Sequence, residues 1–84
     1  MNSRQQRTLT AIFAEPTSPS IDWAAIESLF SAVDCKTIEG NGSRVRFVRG
    51  TDGESFHRPH PEKEAKRYQV RAAALFLTRL GVKP

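Results

Sequence analysis

Charged and apolar side chains alternate from residue 44 to residue 47, and a second short run follows a glycine-containing turn. The first run opens with Arg44, Val45, Arg46 and Phe47, and the second contains Phe56. Because successive side chains of a strand point to opposite faces, this period favours a sheet with one apolar and one polar face. The sequence predicts a β-hairpin within residues 39–59, with strands at 44–49 and 54–58. The turn is placed at 50–53, where Asp-Gly is a hairpin signal.

The register of this hairpin decides which side chains reach solvent. If the valine and the two phenylalanines face the core, three polar side chains share the opposite face, namely Arg44, Arg46 and His57. Such a face can meet a polyanion. The alternative is an ordinary solvated face with polar cross-strand pairs.

Two helical patterns precede the hairpin. Residues 3–14 fit a short amphipathic helix. A second helix is predicted after Ser20, which suits the N-cap position. Its core-facing stripe has the 3.6-residue period of a helix and consists of Trp23, Ile26, Leu29, Phe30 and Val33. A first strand at 35–38 then ends at the Gly40-Asn41-Gly42 turn.

A last helix is predicted from Lys66 to Leu80, because Pro59 and Pro61 prevent further sheet pairing and Gly81 suits a helix end. Its buried stripe consists of Val70, Ala73, Phe76, Leu77 and Leu80. The predicted order is α-α-β-β-β-α. It describes one α+β domain over residues 1–84, in which helices cover one face of a three-stranded antiparallel sheet and leave the other face in water.

Length and charge limit the kind of site that the chain can carry. A domain of 84 residues has a small core, so we expect a surface site and no deep pocket. Residues 1–42 have a net charge of −2 and residues 43–84 a net charge of +6. This asymmetry favours a nucleic-acid backbone or an acidic protein as the partner.

Other classes of site are disfavoured. Two histidines and the single Cys35 show no zinc-ligand spacing, so neither a metal nor another cofactor is expected, and Cys35 suits a small apolar core position. Trp23 lies on the apolar stripe of a helix and is expected in the core. No run approaches the length of a membrane span, which predicts a cytoplasmic protein without membrane contact.

Four segments resemble HicA toxins, in particular the branch with an extra N-terminal helix. They are residues 20–33, 40–47, 56–61 and 76–82, and the most specific are Gly42-Ser43 entering a strand and His57-Arg58-Pro59-His60-Pro61. The resemblance implies a fold like the double-stranded-RNA-binding domain for residues 20–82, preceded by the helix at 3–14. It also implies cleavage of mRNA and neutralisation by a HicB-like antitoxin.

One position departs from the family pattern. Members of the family carry a histidine, taken as catalytic, directly after the Gly-Ser pair, and Arg44 stands there in this chain. A guanidinium stays protonated and cannot act as a general base, although it can bind phosphate or stabilise negative charge on phosphorus. Either another histidine performs the chemistry, or the protein binds RNA without cutting it.

Metal-independent cleavage needs an acid, a base and cations around the phosphate. His57 is the first candidate acid or base, His60 is the second, and Arg44 is the catalytic cation. For His60, the alternative is a structural loop residue beside Pro59 and Pro61. The predicted RNA-binding residues are Ser43, Arg44, Arg46, Arg58, Lys63, Lys66 and Arg67. Three functions remain open: an mRNA-cleaving toxin, a catalytically silent RNA-binding module, and a domain that binds only a protein such as the antitoxin.

Overall fold

Three helices and three strands follow one another in the predicted order in a computed structural model that describes residues 1–84. The elements are α1 (Ser3–Ile12), α2 (Trp23–Ala32), β1 (Lys36–Glu39), β2 (Arg44–Arg49), β3 (Asp52–His57) and α3 (Arg67–Arg79). The α+β prediction is confirmed, and so is the prediction of a helix near the N-terminus.

The sheet is antiparallel with the strand order β1-β2-β3. Val45 is paired with Phe56, and both side chains are buried. Arg44 is paired with His57, and both are exposed. The predicted alternation is therefore confirmed, and we call the water-exposed side of the sheet the outer face and the helix-covered side the inner face.

The hairpin turn is tighter than predicted. Arg49 pairs with Asp52, so the loop contains only Gly50 and Thr51, and β3 begins two residues before the predicted Glu54. Gly50 has a φ of +62°, and glycine at the first position of a two-residue loop supplies the required positive φ without strain. The Asp-Gly pair predicted as the turn therefore lies in β3 and not in the loop.

An aromatic cluster joins the helices to the inner face. The Phe30 ring of α2 lies 4.8 Å from Phe47 and 5.4 Å from Phe76 of α3, measured between ring centroids. Trp23 packs 5.2 Å from Phe56, as expected for a core residue. Cys35 is buried in the same core, and burial raises the pKa of its thiol. This supports the prediction that Cys35 is an apolar core residue and not a nucleophile, because a raised pKa lowers the fraction of the thiol present as the reactive thiolate.

The start of α2 differs from the prediction. Ser20 is not the N-cap; Asp22 holds that position, and the Ser20 hydroxyl instead contacts Ser18. The chain before α2 is held extended, because Ile21 accepts a hydrogen bond of 2.8 Å from the Ala65 N–H. A distant segment therefore sets where this helix begins. None of the three helices is long and apolar enough to cross a membrane.

Candidate functional site

A depression of about 370 Å³ lies at the end of the sheet where β1, β2 and β3 present their exposed side chains. The residues around it are Ile38, Glu39, Gly40, Arg44, Val45, Arg46, Ser55, Phe56 and His57. Three of the predicted site residues, Arg44, Arg46 and His57, are brought together there.

The guanidinium of Arg46 has a fixed position on the outer face. One of its terminal nitrogens donates to the Ser55 hydroxyl at 2.9 Å, across the strand pair. The same group lies against Gly53, where an added Cβ atom would be 2.9 Å from the Arg46 Cζ atom. Gly53 therefore leaves the space in which the guanidinium lies, and Ser55 orients it.

His57 and Ser43 meet beside Arg44. The Ser43 Oγ atom is 3.4 Å from Nδ1 of the His57 ring, which leaves Nε2 as the other ring nitrogen for a ligand. Arg44 is exposed and takes part in no ion pair within the chain. A cation that is not neutralised thus stands directly opposite an imidazole.

The turn before β2 brings β1 close to Arg44. A Cβ atom on Gly40 would lie 2.9 Å from the Arg44 Cβ, and the Gly40 N–H donates to the Arg44 carbonyl at 2.9 Å. Gly42 has a φ of +61°. The two glycines thus serve different needs, since one allows a close backbone approach and the other a left-handed turn.

The backbone beneath His57 is anchored by a buried glutamine that the sequence did not single out. Gln69 is only 2% exposed. Its amide nitrogen donates to the His57 carbonyl at 2.7 Å, and its amide oxygen accepts from the Lys66 N–H at 3.0 Å. The first turn of α3 is in this way attached to the strand end that carries the histidine.

Arg58 lies on the other side of the sheet from these groups. It donates to both carboxylate oxygens of Glu27 on α2 and to both of Glu39 on β1, with a shortest distance of 2.6 Å. The Trp23 indole N–H also donates to Glu27. The Arg58 pKa is raised by its hydrogen bonds to Glu39 and Glu27, and its hydrogen bond lowers the pKa of Glu39. Because its donors are engaged by two carboxylates, Arg58 connects β1 to the helix layer.

The remaining predicted residues lie outside the depression. His60 is exposed in the loop after β3 and makes no side-chain hydrogen bond. Lys63 lines a second depression, of about 340 Å³, that also includes Arg58. Lys66 lies 3.9 Å from Glu62, and Arg67 donates to the Thr17 carbonyl at 3.3 Å. These three cations surround the start of α3 and are separate from the sheet residues.

Strand pairing adds side chains that sequence patterns did not single out. Ile38 is paired with Arg46, and Lys36 lies two residues earlier on the same face. Lys36, Arg44 and Arg46 are free of ion pairs, and we call these three residues the outer-face cations. The alternation that located Arg44 and Arg46 also places Ile38, Lys36 and Ser55, once the register of β1 and β3 is known.

Comparison with known proteins identifies the family. The sequence model described as "HicA toxin of bacterial toxin-antitoxin" matches residues 23–82. No curated protein and no solved structure gave a significant match. Helix α1 precedes the matched segment, consistent with a branch that carries an additional N-terminal helix. This chain belongs to the HicA toxin family.

Proposed function

We propose that this toxin-family chain cleaves mRNA in the cytoplasm as a metal-independent endoribonuclease, and that a HicB-like antitoxin binds and neutralises it. The observation that carries the proposal is the direct pairing of Arg44 with His57 on the outer face, next to Arg46. A phosphate that contacts the arginines there has an imidazole beside it.

The reaction needs one proton acceptor and one proton donor. The base takes the proton of the ribose 2′-OH, the oxygen attacks phosphorus, and the acid protonates the departing 5′-oxygen. The products are a 2′,3′-cyclic phosphate and a 5′-hydroxyl. Histidine is the side chain used most often as a general acid or base, so the two histidines are the candidates for these roles. We assign His57 to one role and His60, three residues later, to the other.

The arginines stabilise the charge that develops on phosphorus. A guanidinium can hold two phosphate oxygens at once, and such contacts are strongest where the group is already oriented. Arg46 is oriented by Ser55, and Arg44 is free to move onto the substrate. Ser43 keeps the His57 ring turned through its contact at Nδ1. Lys63, Lys66 and Arg67 extend the contact with the RNA backbone beyond the sheet.

The proposal is tested with a purified transcript. Wild-type protein is expected to give products that end in a cyclic phosphate. His57→Ala and His60→Ala are each expected to slow cleavage by about 10²–10⁴-fold, the usual contribution of a general acid or base. Arg7→Ala, an exposed arginine on α1, is the control and should cleave normally. Expression of wild type or Arg7→Ala should arrest growth, and expression of either histidine variant should not.

A second function is favoured by one residue. Arg44 occupies the position of the family's usual histidine, so a silent RNA-binding module remains the alternative. That module would bind RNA with strong salt dependence and release no product. Stable assembly with the antitoxin and no affinity for RNA would instead show a domain that binds only protein.

A further inference from the structure

Ile38 is an exposed apolar side chain inside the candidate site. It is 50% exposed, it lies on the outer face, and it is one of the residues that line the depression. The other large exposed apolar residues, Met1, Tyr68 and Leu75, lie outside it. Ile38 thus places an aliphatic side chain on the edge strand β1, beside the outer-face cations Lys36 and Arg46.

Ile38 and Arg46 form a continuous surface. They are direct cross-strand partners, and side chains so paired have Cβ atoms about 4.5–5.5 Å apart. Ser55 and Gly53 hold the guanidinium of Arg46 over β3, so the aliphatic part of the Arg46 side chain lies between that group and Ile38 on β1. Unpaired nucleobases can lie on such an apolar surface, and the Ser55 hydroxyl offers a polar contact at its edge.

The Arg44–His57 pair lies one step along the same face. Arg44 is two residues from Arg46 on β2, a rise of about 6.8 Å along the strand. A nucleotide whose base rests on Ile38 and Arg46 can therefore place its phosphate beside Arg44 and His57. The volume of about 370 Å³ is near the lower end of small-molecule sites, which suits one nucleotide.

We infer that this depression is a subsite for a single unpaired nucleobase, with Ile38 and Arg46 as its contact surface. The inference rests on the proposed function and names its substrate class, which is single-stranded RNA. A base within a duplex is stacked on both sides, so its face is not free to lie on Ile38. The outer-face cations supply the complementary charge for the backbone on either side.

Binding is measured by fluorescence anisotropy with a labelled RNA oligonucleotide made uncleavable by 2′-O-methylation, alone and annealed to its complement. Ile38→Ser is expected to raise Kd for the single strand about tenfold and to leave duplex binding, which is weaker, unchanged. Leu75→Ser is the matched control, because Leu75 is 65% exposed on α3 and lies outside the depression. Ile38→Phe is expected to bind the single strand at least as tightly as wild type, since the phenyl ring keeps the apolar contact and is flat.

Cleavage kinetics separate the base subsite from the catalytic step. Ile38→Ser should raise KM about tenfold and leave kcat within about threefold, because the lost contact is made equally in the ground state. Unchanged single-strand affinity in Ile38→Ser, or equal affinity of the wild type for duplex and single strand, overturns the subsite. Binding that depends on Ile38 but yields no product would support the subsite and refute the proposed cleavage. Cleavage that does not depend on Ile38 would support the proposed cleavage and refute the subsite. Absence of RNA binding would refute both.

Discussion

Replacing Gln69 by leucine should destabilise the domain. The substitution removes the partner of two backbone groups, the His57 carbonyl and the Lys66 N–H. A buried backbone group without a partner costs about 1–3 kcal/mol, and the added apolar side chain recovers part of that. We expect a net loss of about 2–4 kcal/mol in the free energy of unfolding.

The expected loss is smaller than the stability of most domains of this length, so the variant should still fold in buffer and the loss can be measured. At roughly 0.05–0.15 kcal/mol per residue, a domain of this length has about 4–13 kcal/mol of stability. The expected loss corresponds to a Tm about 10–25 °C lower. Urea denaturation can be followed through Trp23, the single tryptophan, which is buried against Phe56.

Gln5 provides a matched control for Gln69. It occupies the same third position of a helix, accepts from the Asn2 N–H as Gln69 accepts from the Lys66 N–H, and donates to the Ser28 hydroxyl at 3.0 Å. Its hydrogen bonds are exposed, so water can replace them. Gln5→Leu should therefore cost less than about 1 kcal/mol. If Gln69→Leu were as stable as Gln5→Leu, the reasoning about the part-buried hydrogen bonds of Gln69 would be refuted.

A charged replacement gives a second, independent test. In Gln69→Glu the new carboxyl is buried, and burial raises its pKa because the charged form loses hydration. Its protonated form can still donate to the His57 carbonyl. The folded protein then binds a proton more tightly than the unfolded one, so the variant should be least destabilised near pH 5 and most destabilised near pH 8. A difference from wild type that does not change across this range would contradict the assignment.

Three further predictions concern the two faces of the sheet. Gly53→Ala should displace the Arg46 guanidinium and weaken RNA binding severalfold. The urea midpoint should change little, because the added methyl group meets the flexible end of a side chain, which can move aside. Normal affinity would show that the position of Arg46 does not matter for binding. Glu39→Gln should lower the urea midpoint above pH 4.5, the ordinary pKa of the carboxyl, and the difference from wild type should shrink as pH falls through the lowered pKa of the folded state. A difference that persists at pH 2 would exclude the Arg58 contact as its cause. Binding of single-stranded RNA through the outer-face cations together with Lys63, Lys66 and Arg67 should give a slope of about −4 for log K against log salt, and a slope near −2 would show that the cations near α3 do not contact the backbone.

Local alternation from Arg44 to Phe47 was sufficient to assign the two faces of β2. The strand has the predicted bounds, although Val48 and Arg49 depart from the charged and apolar alternation. The helix stripes were predictable for the same reason, and residues such as Phe30 and Phe76 are fully buried. Patterns that repeat within a few residues describe which side of an element is apolar, independently of the rest of the chain.

Features set by distant segments were not predictable in this way. Ser20 has the chemistry of an N-cap, but the hydrogen bond from the Ala65 N–H to the Ile21 carbonyl keeps the chain extended beyond it. Gln69 is an ordinary polar residue in the sequence, and its burial depends on how α3 meets the end of β3. The exposed Ile38 becomes part of a site only through the register of β1 against β2.

The arginines of the hairpin show why net charge overstates the binding surface. Arg49 donates to the carbonyls of Val33 and Leu80, and Arg58 is engaged by Glu27 and Glu39, so these two connect the sheet to the rest of the domain. Both belong to the inner side of the strand pair, whereas the unpaired arginines of β2 alternate onto the outer face. Strand parity therefore divides chemically identical side chains into those engaged within the domain and those left unpaired on the outer face. Under the proposed function, the number of unpaired cations on one face is a better measure of affinity for RNA than the charge of the whole chain.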